Sequence, residues 1–555
     1  MPSFDTATLP YGLLAPQWIL TALIFACLTV DLIVGPRGHR AVGWVAVLGT
    51  AVAAGAQASL WGTRGTFAGV LRIDEYSALF NLIFMVGGIG VLLLSFDYAE
   101  RFLGQPAEFY AFVIAGILGM GLMAQAQELL TAYIALELLS FSSYILVSYA
   151  RTNLKSNEAG LKYVILGSFS SAILLYGVSL LYGAIGSTMF TDIHAALSGA
   201  GASSATVIVG LVMLTAGLGF KLAAVPFHLY SPDVYEGAPT PVTAFLSVAS
   251  KAAAFALTMR LVVIGLWPVR GQLSDAFAVL AILTMTLGNV VALRQSNIKR
   301  LMAYSSIAQA GYALAAIAAF FAAGDIPTEA SRGVILQLVG YMFTTLAAFG
   351  GIIAFQVANN GRERIADLAG LSRRSPFAAF ALTSALFSLA GMPIFSGFVT
   401  KLFLFTPVAK ANMLWMVAIA IVNSTVSLFY YLQVINQMYG KAPAGLVAIN
   451  AAEAEAAAHA AHAHEAGGHG DDHVGAHGAA HGAHNSGAHP EPVAPWAVRG
   501  HTDGMPTELR YPLDRLSIET RVGILVALAG MFLIGLYPSP IVDLAQGASV
   551  ALFTR

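Results

Sequence analysis

Apolar residues fall in runs of about 20 separated by short polar clusters, which is the spacing of membrane-spanning segments rather than of amphipathic surface helices. Fourteen such runs lie near 13–34, 42–61, 77–95, 108–125, 128–150, 161–184, 205–231, 241–264, 273–293, 301–322, 334–356, 377–407, 412–439 and 522–541. An open sheet would leave backbone groups unpaired in hydrocarbon, so the runs predict helices and an all-α polytopic membrane protein. Two runs carry helix breakers. The seventh has Pro226 five residues after Lys221, and the twelfth, about thirty residues long, holds Gly391, Pro393, Gly397 and Pro407. Proline removes a helix hydrogen bond and exposes backbone polar groups. Broken helices at matching places in two halves point to an ion or substrate site between inverted repeats. The expected halves are spans 4–8 and 9–13.

Composition removes the soluble alternatives. Of 555 residues, 57% are apolar and 10% charged, against about 25% charged in a soluble domain. The net charge of −1 lacks the basic footprint of a nucleic-acid partner. Cys27, the single cysteine, makes neither an intrachain disulfide nor the thiolate set of an iron–sulfur cluster. The opening MPSFDTATLP has no basic n-region, so the first run is expected to stay as a span.

Charge in the short loops sets an orientation. Loops after odd-numbered spans hold Arg37, Arg40, Arg101, Arg151, Lys155, Lys162, Arg294, Lys299, Arg300, Arg362, Arg364, Arg373 and Arg374, a total of 13. The opposite side holds Arg64, Arg72, Arg270, Arg332, Lys410 and Arg555, a total of 6. The positive-inside rule then places the first set and the loop 440–521 in the cytoplasm and both termini outside.

Residues 442–500 are rich in Ala, Gly and His and hold nine of the thirteen histidines. His469, His473, His477 and His481 recur every four residues and on a helix would form one face able to bind Zn, Ni or Cu. Gly470, Gly475, Gly478 and Gly482 oppose a stable helix, which favours a disordered, dispensable insertion and no metal.

The chemistry lies in the spans. Glu137, Lys221, Lys251 and Lys401 sit inside apolar runs, where each charge costs about 2.5–3.5 kcal/mol. One glutamate cannot neutralise three lysines, so a purely structural set of salt bridges explains them poorly. Desolvated amines and carboxylates can exchange protons, and at about 7 Å a Glu137–Lys221 pair would attract by roughly 2.4 kcal/mol at an effective dielectric of 20. Moving charge at one site would thus load or unload the next. Arg260, near a span end, is expected to snorkel outward and act structurally. Gly119-Met120-Gly121 with Ala124 fits the dinucleotide spacing but lies inside a span, so it reads as close helix packing.

The segment KLAAVPFHLYSPDVYEGAPTPVTAFLSVASK, from Lys221 to Lys251, and SLAGMPIFSGFVTKLFLF, around Lys401, resemble the antiporter-like membrane subunits of respiratory complex I. Lysine at 401 matches the N-type branch; the related M-type branch usually has Glu there. Tyr230 stands where many relatives have Trp, and the His-rich insertion is not a family feature. The resemblance implies two inverted five-helix repeats, each with a broken helix, and a hydrated line of Glu and Lys that carries protons. Glu137 and Lys221 would form the first half-channel pair, Lys251 the connecting group and Lys401 the exit-side group. The expected division of the chain is an N-terminal three-helix segment (1–107), repeats at 108–264 and 265–441, the insertion (442–516) and a final span with a tail (517–555). The resemblance also implies an inner-membrane subunit of NADH–quinone oxidoreductase that binds no cofactor itself. NADH, FMN, iron–sulfur clusters and quinone would belong to other subunits. Expected partners are the antiporter-like subunit M, subunits K and J, the lateral helix of subunit L, and lipid. A membrane-hydrogenase or multisubunit cation/proton antiporter subunit is the near alternative. A metal-ion transporter using the His-rich loop is the alternative of another class, and a purely structural scaffold a third.

Overall fold

A computed structural model describes residues 9–35, 38–103, 106–199, 204–322, 324–440 and 516–554. The His-rich insertion, with His469, His473, His477 and His481, lies outside the described residues. Eighteen helices of six residues or more carry the described fold: α1 Ala15–Val34, α2 His39–Ser59, α3 Glu75–Phe102, α4 Pro106–Gln125, α5 Leu129–Val147, α6 Leu154–Ile185, α7 Phe190–Leu197, α8 Ala205–Lys221, α9 Tyr230–Gly237, α10 Thr240–Ile264, α11 Arg270–Ala292, α12 Ile298–Ala318, α13 Ile326–Ala358, α14 Pro376–Ala390, α15 Ser396–Lys410, α16 Leu414–Gly440, α17 Ile518–Leu536 and α18 Ser539–Phe553. A short hairpin pairs β1 Gly65–Phe67 with β2 Leu71–Ile73.

Among the described residues, twelve helices are long and apolar enough to cross a membrane. They match twelve of the fourteen runs. The other two runs fold as interrupted pairs, α8 with α9 and α14 with α15. Ion pairs label the two ends of the bundle. At the basic end, Arg300 pairs with Asp233 and Glu236, and Lys299 with Glu363. At the opposite end, Arg64 pairs with Glu75 and Lys410 with Glu329. The first interrupted pair therefore finishes at the basic end, through Asp233 and Glu236 of α9. The second finishes at the opposite end, through Lys410 of α15. The two breaks run in opposite directions.

Helix starts follow local chemistry. Asp74 caps α3 by accepting from the Ser77 amide at 2.8 Å, and Asn297 caps α12 through the amides of Lys299 and Arg300. α12 and α13 are buried along nearly their whole length, whereas α1 and α16 are mostly at the surface. Their outward side chains, such as Phe25, Leu32 and Phe429, are exposed and suit lipid. Between apolar helices in lipid, close approach of backbones takes over from hydrophobic burial as the packing force. At Gly119 an added Cβ would stand 2.9 Å from both the Ala135 carbonyl and the Leu139 amide of α5. This agrees with the packing interpretation of the Gly-Met-Gly motif.

Two features depart from expectation. Arg260 does not reach the interface. It is fully buried and grips Asp74 with two hydrogen bonds, at 3.0 and 2.8 Å, above the Tyr76 ring. Snorkelling fails because Asp74, just after the hairpin, holds the guanidinium inside and α18 packs against α10. The tail after the final span is the helix α18. Its Gln546 accepts from Arg332 and its Thr554 carbonyl from Arg72, so it lies along the end opposite the basic one.

Candidate functional site

Three lysines lie between the charged ends, each next to an irregular helix. Lys221 occupies the last turn of α8, where the chain breaks before α9. Lys251 directly follows a π-helical turn, Leu246–Ser250, inside α10; such turns often occur at functional sites. Lys401 lies on α15, beyond the Gly391–Phe395 break. They are 7, 5 and 7% exposed. Each ammonium is hydrogen-bonded to a hydroxyl rather than paired with a carboxylate. Lys221 donates to Ser140 at 2.6 Å, Lys251 to Ser306 at 2.6 Å and Lys401 to Ser424 at 2.8 Å. The Tyr144, Tyr235 and Tyr312 rings lie 5.9, 5.8 and 5.3 Å from these three nitrogens.

Glu137 lies on the same face of α5 as Ser140 and Tyr144, three and seven residues on. Its carboxylate accepts a hydrogen bond from Ser171 of α6. The structure thus brings Glu137 and Lys221 to one helix face, joined through residues of α5. A carboxylate and an ammonium held close but not in contact keep separate protons, and either can be moved without breaking a direct pair.

Lys401 closes the break of the second pair. It donates to the Leu389 carbonyl at 2.9 Å and the Ala390 carbonyl at 3.2 Å, at the C-terminal end of α14. Those carbonyls have no partner within their helix and carry the negative end of its dipole, which an ammonium neutralises. Gly391 caps α14 with φ +87°. An added Cβ there would stand 3.1 Å from Lys401 Cδ and 3.3 Å from Nζ, so glycine serves both the backbone and the lysine.

Polar side chains fill the space between Lys251 and Lys401. Gln309, one turn beyond Ser306 on α12, donates to the same Leu389 carbonyl at 3.2 Å and accepts from Gln337 at 2.9 Å. Ser305 meets Tyr431 at 2.5 Å and Ser247 meets Tyr341 at 2.9 Å. His228 is buried in the first break, with Nδ1 lacking a hydrogen-bond partner among the described residues. Sequence reasoning named none of these. Their signal was the recurrence of Ser, Gln and Tyr inside apolar runs.

Two clefts open at the basic end. The larger, of about 1010 Å³, includes Asn297, Glu363, Arg364, Tyr430 and Gln433 in its lining. From it, the Tyr430 hydroxyl donates to Asn289 at 3.0 Å, and Asn289 donates to the Tyr312 hydroxyl at 3.0 Å. The smaller, of about 210 Å³, includes Lys162, Asp233, Glu236 and Arg300. It touches α9, whose Tyr235 is hydrogen-bonded to Ser306 at 3.5 Å.

Buried amines at helix irregularities, set among hydroxyls and amides between charged ends, belong to a polytopic membrane protein of twelve long apolar helices and two interrupted pairs among the described residues. Residues 126–427 match the family described as "NADH:quinone oxidoreductase/Mrp antiporter, TM", and the chain belongs to that family. It is similar to the NADH-quinone oxidoreductase subunit N of Trichlorobacter lovleyi, with 39% identity over 436 residues, 78% of this chain and 88% of that protein. It is likewise similar to the subunit N of Moorella thermoacetica, with 42% identity over 437 residues, 78% of this chain and 90% of that one. Among solved structures, a chain of respiratory complex I from Thermus thermophilus shares 28% identity and a TM-score of 0.68, covering 96% of this chain and 99% of that chain. A chain of the Mrp complex from Dietzia sp. shares the fold, at 21% identity and a TM-score of 0.74, covering 97% of each. The resemblance based on the Lys221 and Lys401 motifs is borne out.

Proposed function

We propose that this chain is the proton-translocating membrane subunit, of the N type, of a bacterial NADH–quinone oxidoreductase. The observation that carries the reading is the row of three buried lysines at helix irregularities, each bonded to a hydroxyl and free of a carboxylate contact among the described residues. A lysine locked in an ion pair stays charged; one held by a hydroxyl can give up its proton and keep a partner. Glu137 with Lys221 forms the first loading site. Lys251 is the connecting group, with Ser306 and Gln309 lying toward Lys401, the terminal group. Separating charge at one site changes the cost of protonating the next. The opposite directions of the two breaks support two inverted repeats, 108–264 and 265–441, after an N-terminal segment.

Electrons pass through other subunits, which hold the FMN, the iron–sulfur clusters and the sites for NADH and quinone. The partners are subunit M, subunits K and J and the lateral helix of subunit L. The basic end faces the cytoplasm of a bacterial inner membrane, with both chain termini outside. The family description also names Mrp antiporters, which supports a second reading as a cation/proton antiporter subunit. Identifying the polypeptides that co-purify after mild detergent extraction separates the two. Flavin and iron–sulfur subunits are expected; antiporter or hydrogenase subunits in their place would overturn the assignment.

A further inference from the structure

At the end opposite the basic one, a cleft of about 340 Å³ lies away from the lysine row. Five parts of the chain build it: Arg72 of β2, Gln127 just before α5, α7, the end of α10 with Trp267, and the last turn of α18 with Thr554. Its polar lining is rich in donors. Arg72, Gln127, Thr191 and His194 face it, and no carboxylate lines it among the described residues. Arg72 is ion-paired with Asp74 at 3.1 Å and donates to the Thr554 carbonyl at 2.7 Å; a guanidinium has five donors in all. Asp74 is already gripped by Arg260, so the two guanidiniums and one carboxylate leave a net positive charge at the cleft wall. Gln127 Nε2 is buried without a hydrogen-bond partner among the described residues. His194 lies one turn from Thr191 on α7, its Nδ1 at 3.1 Å from the Ile264 carbonyl.

The rest of the lining is apolar. Ile264 and Phe553 form part of the wall, and Trp267 packs edge-on against Phe553 at 6.1 Å. The cleft sits where α10 ends and α11 begins, and Trp at the end of a span is the residue membrane proteins place beside lipid headgroups. A group that satisfies several convergent donors, carries negative charge and presents an apolar body fits both walls. A phosphate has enough acceptor oxygens for this arginine, amide and hydroxyl together. The volume falls at the low end of ligand pockets, roughly 300–1,000 Å³.

We propose that this cleft binds a phosphate oxyanion, and that its source is the headgroup of an anionic phospholipid wedged between α10, α18 and the hairpin. The lipid would tie the C-terminal helix to the N-terminal segment and to α7 and α10.

The test uses the complete membrane complex and a photoactivatable short-chain phosphatidylglycerol, with labelled positions mapped by peptide analysis. Labelling is expected at 263–267 and 550–554 in the wild type. It should fall about tenfold in Arg72→Gln, the loss of one charge-assisted contact. Gln127→Glu places a carboxylate in the lining and leaves the Arg72–Asp74 contact in place, so it should lower labelling in a fully assembled complex. Labelling that survives excess inorganic phosphate assigns the site to lipid; labelling that phosphate abolishes assigns it to the free anion and overturns the lipid source. Absence of labelling at these positions in the wild type, or labelling in both variants at the wild-type level, overturns the site itself.

Discussion

Arg260→Met is expected to impair assembly of the chain rather than proton transfer. Arg260 is fully buried and holds Asp74 through two hydrogen bonds of 2.8 and 3.0 Å. Breaking one partner of a buried pair costs about 3–5 kcal/mol, because the other charge is left uncompensated. Arg72 still reaches Asp74 at 3.1 Å, so the lower end applies, about 3 kcal/mol or roughly a hundredfold in the folded population. Combining Arg260→Met with Asp74→Asn removes the stranded charge and keeps an N-cap side chain, and should recover most of the loss. The acid dependence has a definite sign. Burial alone would raise the Asp74 carboxyl, and Arg260 beside it holds it below the usual carboxylate range. In the wild type this stabilisation is complete above pH 4 or so and is lost only as the pH falls through the depressed value. Without Arg260, burial dominates and the carboxyl rises. The penalty is then present at neutral pH and relieved on acidification, so the gap between variant and wild type narrows as the pH falls. The assay is thermal inactivation and yield of the assembled complex at each pH. A single variant as stable as wild type, or a double variant worse than the single, would refute the reasoning.

Three further outcomes follow from named residues. Gly391→Ala should lower coupled turnover at normal assembly, because its φ of +87° and the 3.1 Å approach to Lys401 both oppose a side chain; strain of about 1–2 kcal/mol is expected, and unchanged pumping would contradict it. Deleting 455–490 should leave assembly and turnover nearly intact, since α16 leaves and α17 returns at the basic end, where Ser517 donates to Asp97; tight stoichiometric zinc binding by the isolated segment, or loss of pumping in the deletion strain, would restore a role for its histidines. Reporter fusions at Gly467 and at the C-terminus should report opposite sides of the membrane, and the same side would mean that a crossing has been misassigned.

What the sequence revealed depended on how much a residue stands out from its run. Lys221, Lys251 and Lys401 are conspicuous because an ammonium in a 20-residue apolar segment is costly. The breaks were legible through Pro226 and the Gly391–Pro393 pair. Ser140, Ser306 and Ser424 were not legible, although they hold the three ammonium groups. Serine in a helix is commonly satisfied by a carbonyl one turn back, as Ser140 is by Leu136 at 2.6 Å, so its presence signals nothing about a partner. Gln309 was missed for a similar reason: its role depends on the Leu389 carbonyl, 80 residues away. Arg260 was misplaced because nearness to a span end along the chain is not depth; Asp74 holds its guanidinium inside and α18 packs against α10. The helix α18 itself has 15 residues and fell below the length of a crossing. The π-helical turn before Lys251 has no sequence signature that periodicity could detect.

The central claim is that Lys221 carries a proton rather than merely holding a charge. Lys221→Arg keeps a cation in place, but guanidinium stays protonated at any accessible pH. The decisive measurement is proton pumping together with quinone-linked NADH oxidation in membranes whose Lys221→Arg complex is fully assembled. The account predicts that coupled pumping is lost, as it should be in Lys221→Ala and Glu137→Ala. Pumping at the wild-type level in the arginine variant would contradict it and leave Lys221 as a structural partner of Ser140.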